Sequence, residues 1–346
     1  MTIKKTHTSI YLLYAILVLL ILSSKIAVAQ IGGVSSFKSL DLPSNPITTG
    51  LGGINVSVNE ANPSEILNNP ALLDTSDVKH ISLNITPYFS GANFGNLSYA
   101  GLLGKQLLAG GIQYNSLGTF VQTDNFGNEI GTFTVNDLAF YLSHSRKQGN
   151  ITFGATLKYA STSFVDYQSS AIVADLGAYF KHPKIDLSYG MCVKNIGLYS
   201  NSNQYTDENP SLPFDVQLGL TYKPMYMPVR FSFQAHHIHQ YNISYLDNSQ
   251  IRYDLFGNRI VEKIGFMDNL FRHFIFGTEI VLDKGFQILL SYNHLRNKDF
   301  YTEIGGGMNG IALGFKLKIS NIKLNYSYSA VHTAGNFSSF GLIYQL

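Results

Sequence analysis

The sequence predicts an all-β fold, a transmembrane antiparallel barrel of about fourteen strands with an N-terminal hatch. Three observations carry this: a two-residue hydrophobic period that recurs along the chain, connections whose length alternates, and a composition poor in charge without being greasy. The period is plainest at the C-terminus. Ile311, Leu313, Phe315, Leu317 and Ile319 are apolar, with Gly314, Lys316 and Lys318 between them. After Ser320-Asn321, Ile322, Leu324, Tyr326, Tyr328 and Ala330 alternate with Lys323, Asn325, Ser327 and Ser329. The chain then ends on Phe340, Leu342, Tyr344 and Leu346. Successive side chains of a strand point to opposite faces, so each segment builds one greasy and one polar face. Lipid outside and water inside satisfy both, and better than a soluble sandwich would.

Charged residues are 13% of the 346, roughly half the ~25% of an ordinary soluble protein. Hydrophobic residues are only 45%, and mean hydropathy is near zero. A helical membrane protein would repeat apolar runs of ~20 residues; this chain has one, at its start. The 22 Tyr and 23 Phe suit aromatic girdles at two membrane interfaces. A net charge of +2 without a basic cluster gives no reason to expect nucleic acid. Lys4 and Lys5, the apolar stretch Ile10 to Leu22, and Ala27-Val28-Ala29 before Gln30 read as a cleaved signal peptide over residues 1–29. The sole cysteine, Cys192, makes no intrachain disulfide and is expected as a small filler facing the lumen. Export followed by a barrel places the protein in the outer membrane of a Gram-negative-type cell.

Residues 30–79 are rich in Gly, Pro, Asn and Ser and do not alternate. Asn62-Pro63-Ser64-Glu65 reads as a helix start, with Asn as N-cap, Pro at the first helical position and Glu set for a capping box. Asn69-Pro70-Ala71 repeats the device. Folding into the barrel mouth as a plug would cover the backbone of this segment. The barrel is then residues 80–346. Its remaining strands are expected near 80–89, 93–103, 107–115, 136–146, 151–161, 170–181, 185–194, 213–223, 229–240, 272–282 and 285–294, each close to the ~10 residues that cross a bilayer at a tilt. Short connections at 104–106, 148–150, 182–184, 224–228, 283–284 and 320–321 alternate with long ones at 116–135, 195–212, 241–271 and 295–307. Barrels have short periplasmic turns and longer external loops, so the long set faces outside. Phe266 to Arg272 reads as a short helix over the mouth.

Little in the chain suggests chemistry. His236, His237 and His239 are the one tempting ligand group. A strand continuing through them puts His237 and His239 on one face and His236 on the other, with no cysteine nearby, so no metal site is expected. Gly52-Gly53 and Gly305-Gly306-Gly307 lack the Lys-Ser/Thr of a phosphate loop, and no G-x-S-x-G elbow is present. No enzyme and no cofactor are expected. Lumen-face charges of both signs, among them Lys158, Asp175, Asp215, Glu279 and Lys316, suggest ion-paired filling. Two long loops share a motif: Asp124-Asn125-Phe126-Gly127-Asn128 and Asp254-Leu255-Phe256-Gly257-Asn258. Asp and Gly-Asn favour tight turns. The aromatic tips, Phe126 in one and Tyr253, Leu255 and Phe256 in the other, are the candidate partner-binding residues.

Several runs resemble PorQ proteins of the type IX secretion system of Bacteroidetes. They are Ile31-Gly32-Gly33 through Leu40-Asp41-Leu42-Pro43, Leu51-Gly52-Gly53, Asn68-Asn69-Pro70-Ala71-Leu72-Leu73, and Asp124 to Phe133. Leu212-Pro213-Phe214 with Gln217-Leu218-Gly219, Pro228 to Ser232, and His236-His237 complete the set. The Leu-Gly-Gly and Asn-Pro-Ala pieces are shared more widely with FadL-type barrels. Thr48-Thr49 stands where such proteins often carry a small residue and Arg, and Leu346 where barrels usually end in an aromatic. The resemblance implies a fourteen-stranded FadL-like barrel, a hatch that includes Gly52, Gly53, Asn69, Pro70 and Ala71, and no catalytic role. It further implies an anchor for a PorZ-like surface protein, alongside PorU- and PorV-like proteins, where cargo is joined to lipopolysaccharide. The other reading is a FadL-like channel for hydrophobic small molecules.

Overall fold

The computed structural model describes residues 37–88, 91–164, 167–201, 211–244, 252–253, 259–260, 265–283, 285–299, 308–332 and 335–346. Residues 1–36, among them the expected signal peptide, lie outside them. Fourteen strands close into an antiparallel barrel. They begin with β1 (His80–Pro87), β2 (Asn93–Leu103), β3 (Gln106–Thr123), β4 (Glu129–Gln148), β5 (Ile151–Phe164), β6 (Tyr167–Lys181), β7 (Asp186–Asn201), β8 (Asp215–Lys223) and β9 (Val229–Ala235). The short strands β10 (Arg252–Tyr253) and β11 (Arg259–Ile260) pair only with each other. The wall resumes with β12 (Phe274–Asp283), β13 (Phe286–Asn293), β14 (Ile311–Ile319), β15 (Ile322–His332) and β16 (Gly335–Gln345). β9 pairs with β12 across the excursion between them, and β1 pairs with β16 from His80↔Gln345 to Ile85↔Phe340. Closure leaves the wall no edge, which lipid demands because nothing there can satisfy a free backbone N–H or C=O.

The alternation predicted from sequence is the alternation of faces. On β1, Ser82, Asn84 and Thr86 are buried in the lumen while Leu83 and Ile85 point outward. On β15 and β16, Asn325, Ser327 and Ser339 turn in, and Leu324, Phe340 and Leu342 turn out. Cys192 is fully buried, in register with Gly177 and Gln217. Tight turns joining β2–β3, β4–β5 and β14–β15 share the end of the barrel where β1 begins and β16 finishes; we take this end as periplasmic. Gly104, Gly149 and Ser320 occupy left-handed positions in those turns.

Residues 37–79 fold into the lumen. They form a 3-10 turn at Lys38–Asp41, the helix α1 (Pro46–Gly50), and 3-10 turns at Pro63–Leu67, Pro70–Leu72 and Thr75–Asp77. Asn62 and Asn69 cap as expected, accepting from Ser64 N at 3.2 Å and Ala71 N at 3.0 Å. Glu65 does not make the expected capping box. Its carboxylate is turned away to the amides of three asparagines, while the box forms instead between Asp74 and Asp77. Leu51, Val56, Ile66, Leu72 and Leu73 are fully buried, and each contributes about 1.5–3 kcal/mol to seating by leaving water.

The external side departs from expectation in three places. The stretch 116–135 is not a loop: β3 and β4 continue through it as a hairpin, because Asp124 nucleates a tight turn. Its Oδ1 accepts from Phe126 N and Asn128 N at 2.8 and 2.9 Å, and Gly127 is left-handed. β7 likewise runs on to Asn201, so the first part of the expected 195–212 loop is strand, and residues 202–210 lie outside the described set. β9, expected to reach residue 240, stops at Ala235 because His237 turns left-handed, φ 52°. The predicted helix is present as α2 (Phe266–Arg272), and the 295–307 stretch opens with α3 (His294–Asp299).

Leu97 on β2 is in register with Leu83 and Ile112, and all three face outward. Leu97→Arg is expected to destabilise the barrel by about 2–4 kcal/mol in lipid vesicles, measured by denaturant unfolding. A change well under about 1 kcal/mol would contradict the assignment of this face to the bilayer.

Candidate functional site: the hatch and the external mouth

The hatch lies backbone-first against the wall. Four glycines on neighbouring strands form its seat: Gly154 on β5 pairs with Gly177 on β6, and Gly190 on β7 with Gly219 on β8. A Cβ on Gly154 would sit 2.3 Å from the Pro70 carbonyl carbon, and one on Gly190 would sit 1.7 Å from the Val56 carbonyl oxygen. Only a residue without a side chain admits that approach. Sequence reasoning named Pro70 and Ala71 but missed the glycines opposite. Their signal was present, as glycine at lumen-facing positions of adjacent strands.

Once the backbones are this close, short polar side chains bridge them. Ser188 Oγ donates to Ser57 O at 2.9 Å, Ser145 Oγ to Leu73 O at 2.7 Å, and Gln234 Nε2 to Ser57 Oγ at 2.9 Å. Asn69 Nδ2 donates to Val56 O at 2.9 Å, tying two passes of the hatch together above the seat. Gly52 and Gly53 follow α1 with φ of 92° and 104°, which glycine alone adopts freely. Asn293 Nδ2 donates to Gly52 O at 2.9 Å, and a Cβ at Gly53 would meet the Arg296 guanidinium. All five hatch residues named from sequence therefore lie in the plug. Thr48, where the resembling proteins often differ, is buried and accepts from Asn68 Nδ2 at 2.6 Å.

Two ion-pair networks pin the hatch to the wall. Glu60 meets Arg230 of β9 and Lys316 of β14 (3.1 Å), and both cations also bind Glu279 of β12. Across the lumen, Lys158 pairs with Asp175 at 2.7 Å, both fully buried, and Lys158 Nζ donates to Asn195 Oδ1 at 2.7 Å. Asn195 Nδ2 donates onward to Asp41 of the hatch at 3.2 Å. The mixed-sign filling read from Lys158, Asp175, Glu279 and Lys316 is thus ion-paired; Glu60, Arg230 and Asp41 were not anticipated. Cavities that open beside the hatch have mixed linings, in which charged side chains stand beside apolar ones such as Ile47, Leu317 and Leu107. One of about 260 Å³ is lined by Glu60, Lys316, Lys318 and Lys323 with Asn59 and Gln287, and another of about 570 Å³ by Asp74, Lys105, Arg146 and Lys147.

At the external end, β2 stops opposite Ser116 and β5 opposite Asn136. Beyond these positions β3 and β4 pair only with each other, and Phe120 stacks on its partner Phe133 at 5.6 Å. Phe126 at the tip is 90% exposed, between Asp124 and Glu129. Leu255, Phe256 and the side chain of Tyr253 lie outside the described residues. Helices α2 and α3 are clipped together by Arg272, which binds Asp268 at 3.1 Å and Asp299 at 2.9 Å. The histidines are not distributed as strand periodicity expected. The backbone bend at His237 brings His236 and His237 together beside Asp215.

Gly190→Ala is expected to cost about 1–3 kcal/mol of hatch seating, because the obstructing atom is backbone and cannot move aside. The readout is greater protease sensitivity of residues 37–79 with unchanged heat-modifiable mobility of the barrel; unaltered protection would contradict the seat. Burial pushes the Asp41, Glu65 and Asp77 carboxyls up to about 6, 7 and 8. Burial also acts on Glu60, but Lys316 and Arg230 outweigh it and hold that carboxyl far below its usual range. Released into water, each group returns to about 4. The seated hatch therefore binds protons at Asp41, Glu65 and Asp77 more tightly. Their stabilising contribution is complete below about pH 4 and is lost as pH rises through 6 to 8, while Glu60 stays ionised throughout. Protection of the hatch from protease is expected to fall between pH 5 and 8, and protection that rises would contradict these environments.

No protein-family model matches the chain, and no curated protein matches its sequence. Solved structures do match in fold. The toluene transporter TbuX of Ralstonia pickettii aligns over 89% of this chain and 98% of its own, at a TM-score of 0.51 and 13% identity. The outer membrane protein Omp33 of Acinetobacter baumannii aligns over 77% of this chain and 97% of its own, at 0.36 and 8% identity. A KdgM porin aligns over 77% and 99%, at 0.33 and 7% identity. At 13% identity the likeness to TbuX is one of architecture alone. The chain has the fold of an outer-membrane β-barrel.

Proposed function

We propose that the protein is a plugged outer-membrane anchor whose external excursions hold a surface partner, as PorQ proteins are thought to do in the type IX secretion attachment complex. The observation that carries this reading is the filled lumen. Residues 37–79 press against the wall backbone to backbone, with Glu60 ion-paired to Arg230 and Lys316 on one side and Asp41 hydrogen-bonded by Asn195 on the other. A lumen so occupied leaves the external surface as the working surface. The hairpin above Ser116 and Asn136 offers it an aromatic tip, Phe126, flanked by Asp124 and Glu129. On this reading the direct partner is a PorZ-like protein, PorU- and PorV-like proteins complete the assembly, and lipopolysaccharide surrounds it. The anchor role asks for no chemistry of its own.

A second reading, a FadL-like channel for hydrophobic small molecules, is favoured by the fold likeness to a toluene transporter. It requires the hatch to move, because residues 37–79 fold into the lumen and press against the wall.

Purified from its native outer membrane in mild detergent, the protein is expected to co-elute with a PorZ-like surface protein in near-equal amount. Cutting the hairpin back to Ser116 and Asn136 is expected to release that partner while the barrel still assembles. A lone barrel carrying a fatty acid would overturn the anchor reading in favour of the channel. A partner retained after truncation would contradict the role given to the hairpin.

A further inference from the structure

Three side chains at the external ends of β8 and β9 form a donor cluster separate from the contacts that seat the hatch. Asp215 opens β8, and His236 and His237 follow Ala235, the last residue of β9. One ligand-type atom from each of the three lies within 4.8 Å of the others. The two imidazole Nδ1 atoms are 2.7 Å apart, and His237 Nδ1 is 3.7 Å from Asp215 Oδ2. His237 reaches this position through its left-handed backbone, a conformation that is costly for a residue with a Cβ and that gathers at functional sites. The bend is held by its own amide, which donates to Asp215 Oδ1 at 2.6 Å. The carboxylate that faces the rings therefore also places them.

His236 is 2% exposed, and its Nε2 is buried with no hydrogen-bond partner among the described residues. Its Nδ1 meets another ring nitrogen. Buried imidazoles ordinarily satisfy themselves on carbonyls, carboxylates or water. The neighbouring His273 does so, with Nδ1 2.9 Å from His236 O and Nε2 3.0 Å from Tyr241 O, and so falls outside the donor set. Two ring nitrogens turned on each other at 2.7 Å repel unless they share a proton, and an ion bound by both would displace that proton and hold them about 3.3 Å apart.

The geometry points to a divalent transition-metal site of the zinc class, formed by His236, His237 and Asp215. Two imidazoles and a carboxylate are a borderline donor set that suits zinc, with a fourth position left for water. His239 is the nearest further donor, its Nδ1 4.0 Å from Asp215 Oδ1. The ion would join the ends of two adjacent strands at the point where the wall gives way to the excursion of residues 236–273. Its role is structural: it fixes the direction in which that excursion leaves the barrel. The site stands whether the protein anchors a partner or passes a ligand.

The test uses the mature barrel in detergent, without a polyhistidine tag, stripped with chelator and dialysed against Zn(II) alone. The expected result is one zinc per chain, with Co(II) in its place giving the visible absorption of a low-coordinate nitrogen and oxygen site. His237→Asn tolerates the left-handed backbone, and Asp215→Asn keeps the side-chain shape. Each is expected to weaken binding by about tenfold or more, with heat-modifiable mobility unchanged. Zinc no higher in the unaltered chain than in the chain carrying both His237→Asn and Asp215→Asn, or binding undiminished in His237→Asn, would overturn the site and leave a proton shared between the two rings.

Discussion

A barrel in lipid must satisfy every backbone group from within, and this one extends that demand to its own lumen. The hatch is a run of turns, each leaving N–H and C=O groups that neither a helix nor a sheet satisfies. It meets the requirement by lying directly on glycines of β5 to β8, close enough for Ser57, Ser145 and Ser188 to bridge hatch and wall. The depth of the seat explains the short polar side chains around it. Larger ones would hold the backbones apart, and apolar ones would leave carbonyls without donors.

The ion pairs follow from the same closeness. Lys158 and Asp175 are taken wholly out of water, where an ion pair is strongly destabilised if one partner is removed, by about 3–5 kcal/mol. Their worth lies less in net stability than in permitting one arrangement of neighbours. Asn195 binds Lys158, receives Asp175 on its backbone amide, and reaches Asp41 of the hatch. Glu60 plays the matching part on the opposite wall, between Arg230 and Lys316. The hatch is thus contacted from two sides, Glu60 by the cations of β9 and β14 and Asp41 by Asn195 of the Lys158 network.

How much of this was legible depended on which environment each residue faces. β2 and β14 were read to the residue, because lipid on one side and packed polar lumen on the other impose strict alternation. The hairpin above Ser116 was read as a loop because it stands clear of both. Gly118, Gly131 and the isolated Thr119 and Thr123 break the period there, and only the ladder between β3 and β4 shows it to be strand. The histidines failed in the opposite way: their spacing mimics a strand, but the left-handed turn at His237 cancels the alternation. Contacts such as Glu60 with Arg230 join residues far apart in the chain, and nothing local in the sequence announces them. The asparagine caps, by contrast, are local physics and were legible in full.

Single-channel recording tests the central claim, a lumen closed by its own N-terminal segment, most directly. Purified mature protein reconstituted in a planar bilayer is expected to show no stable conductance, and removal of residues 37–73 is expected to open steps of porin size. Steady porin-sized conductance from the intact chain would contradict the plug, and with it the assignment of function to the external surface.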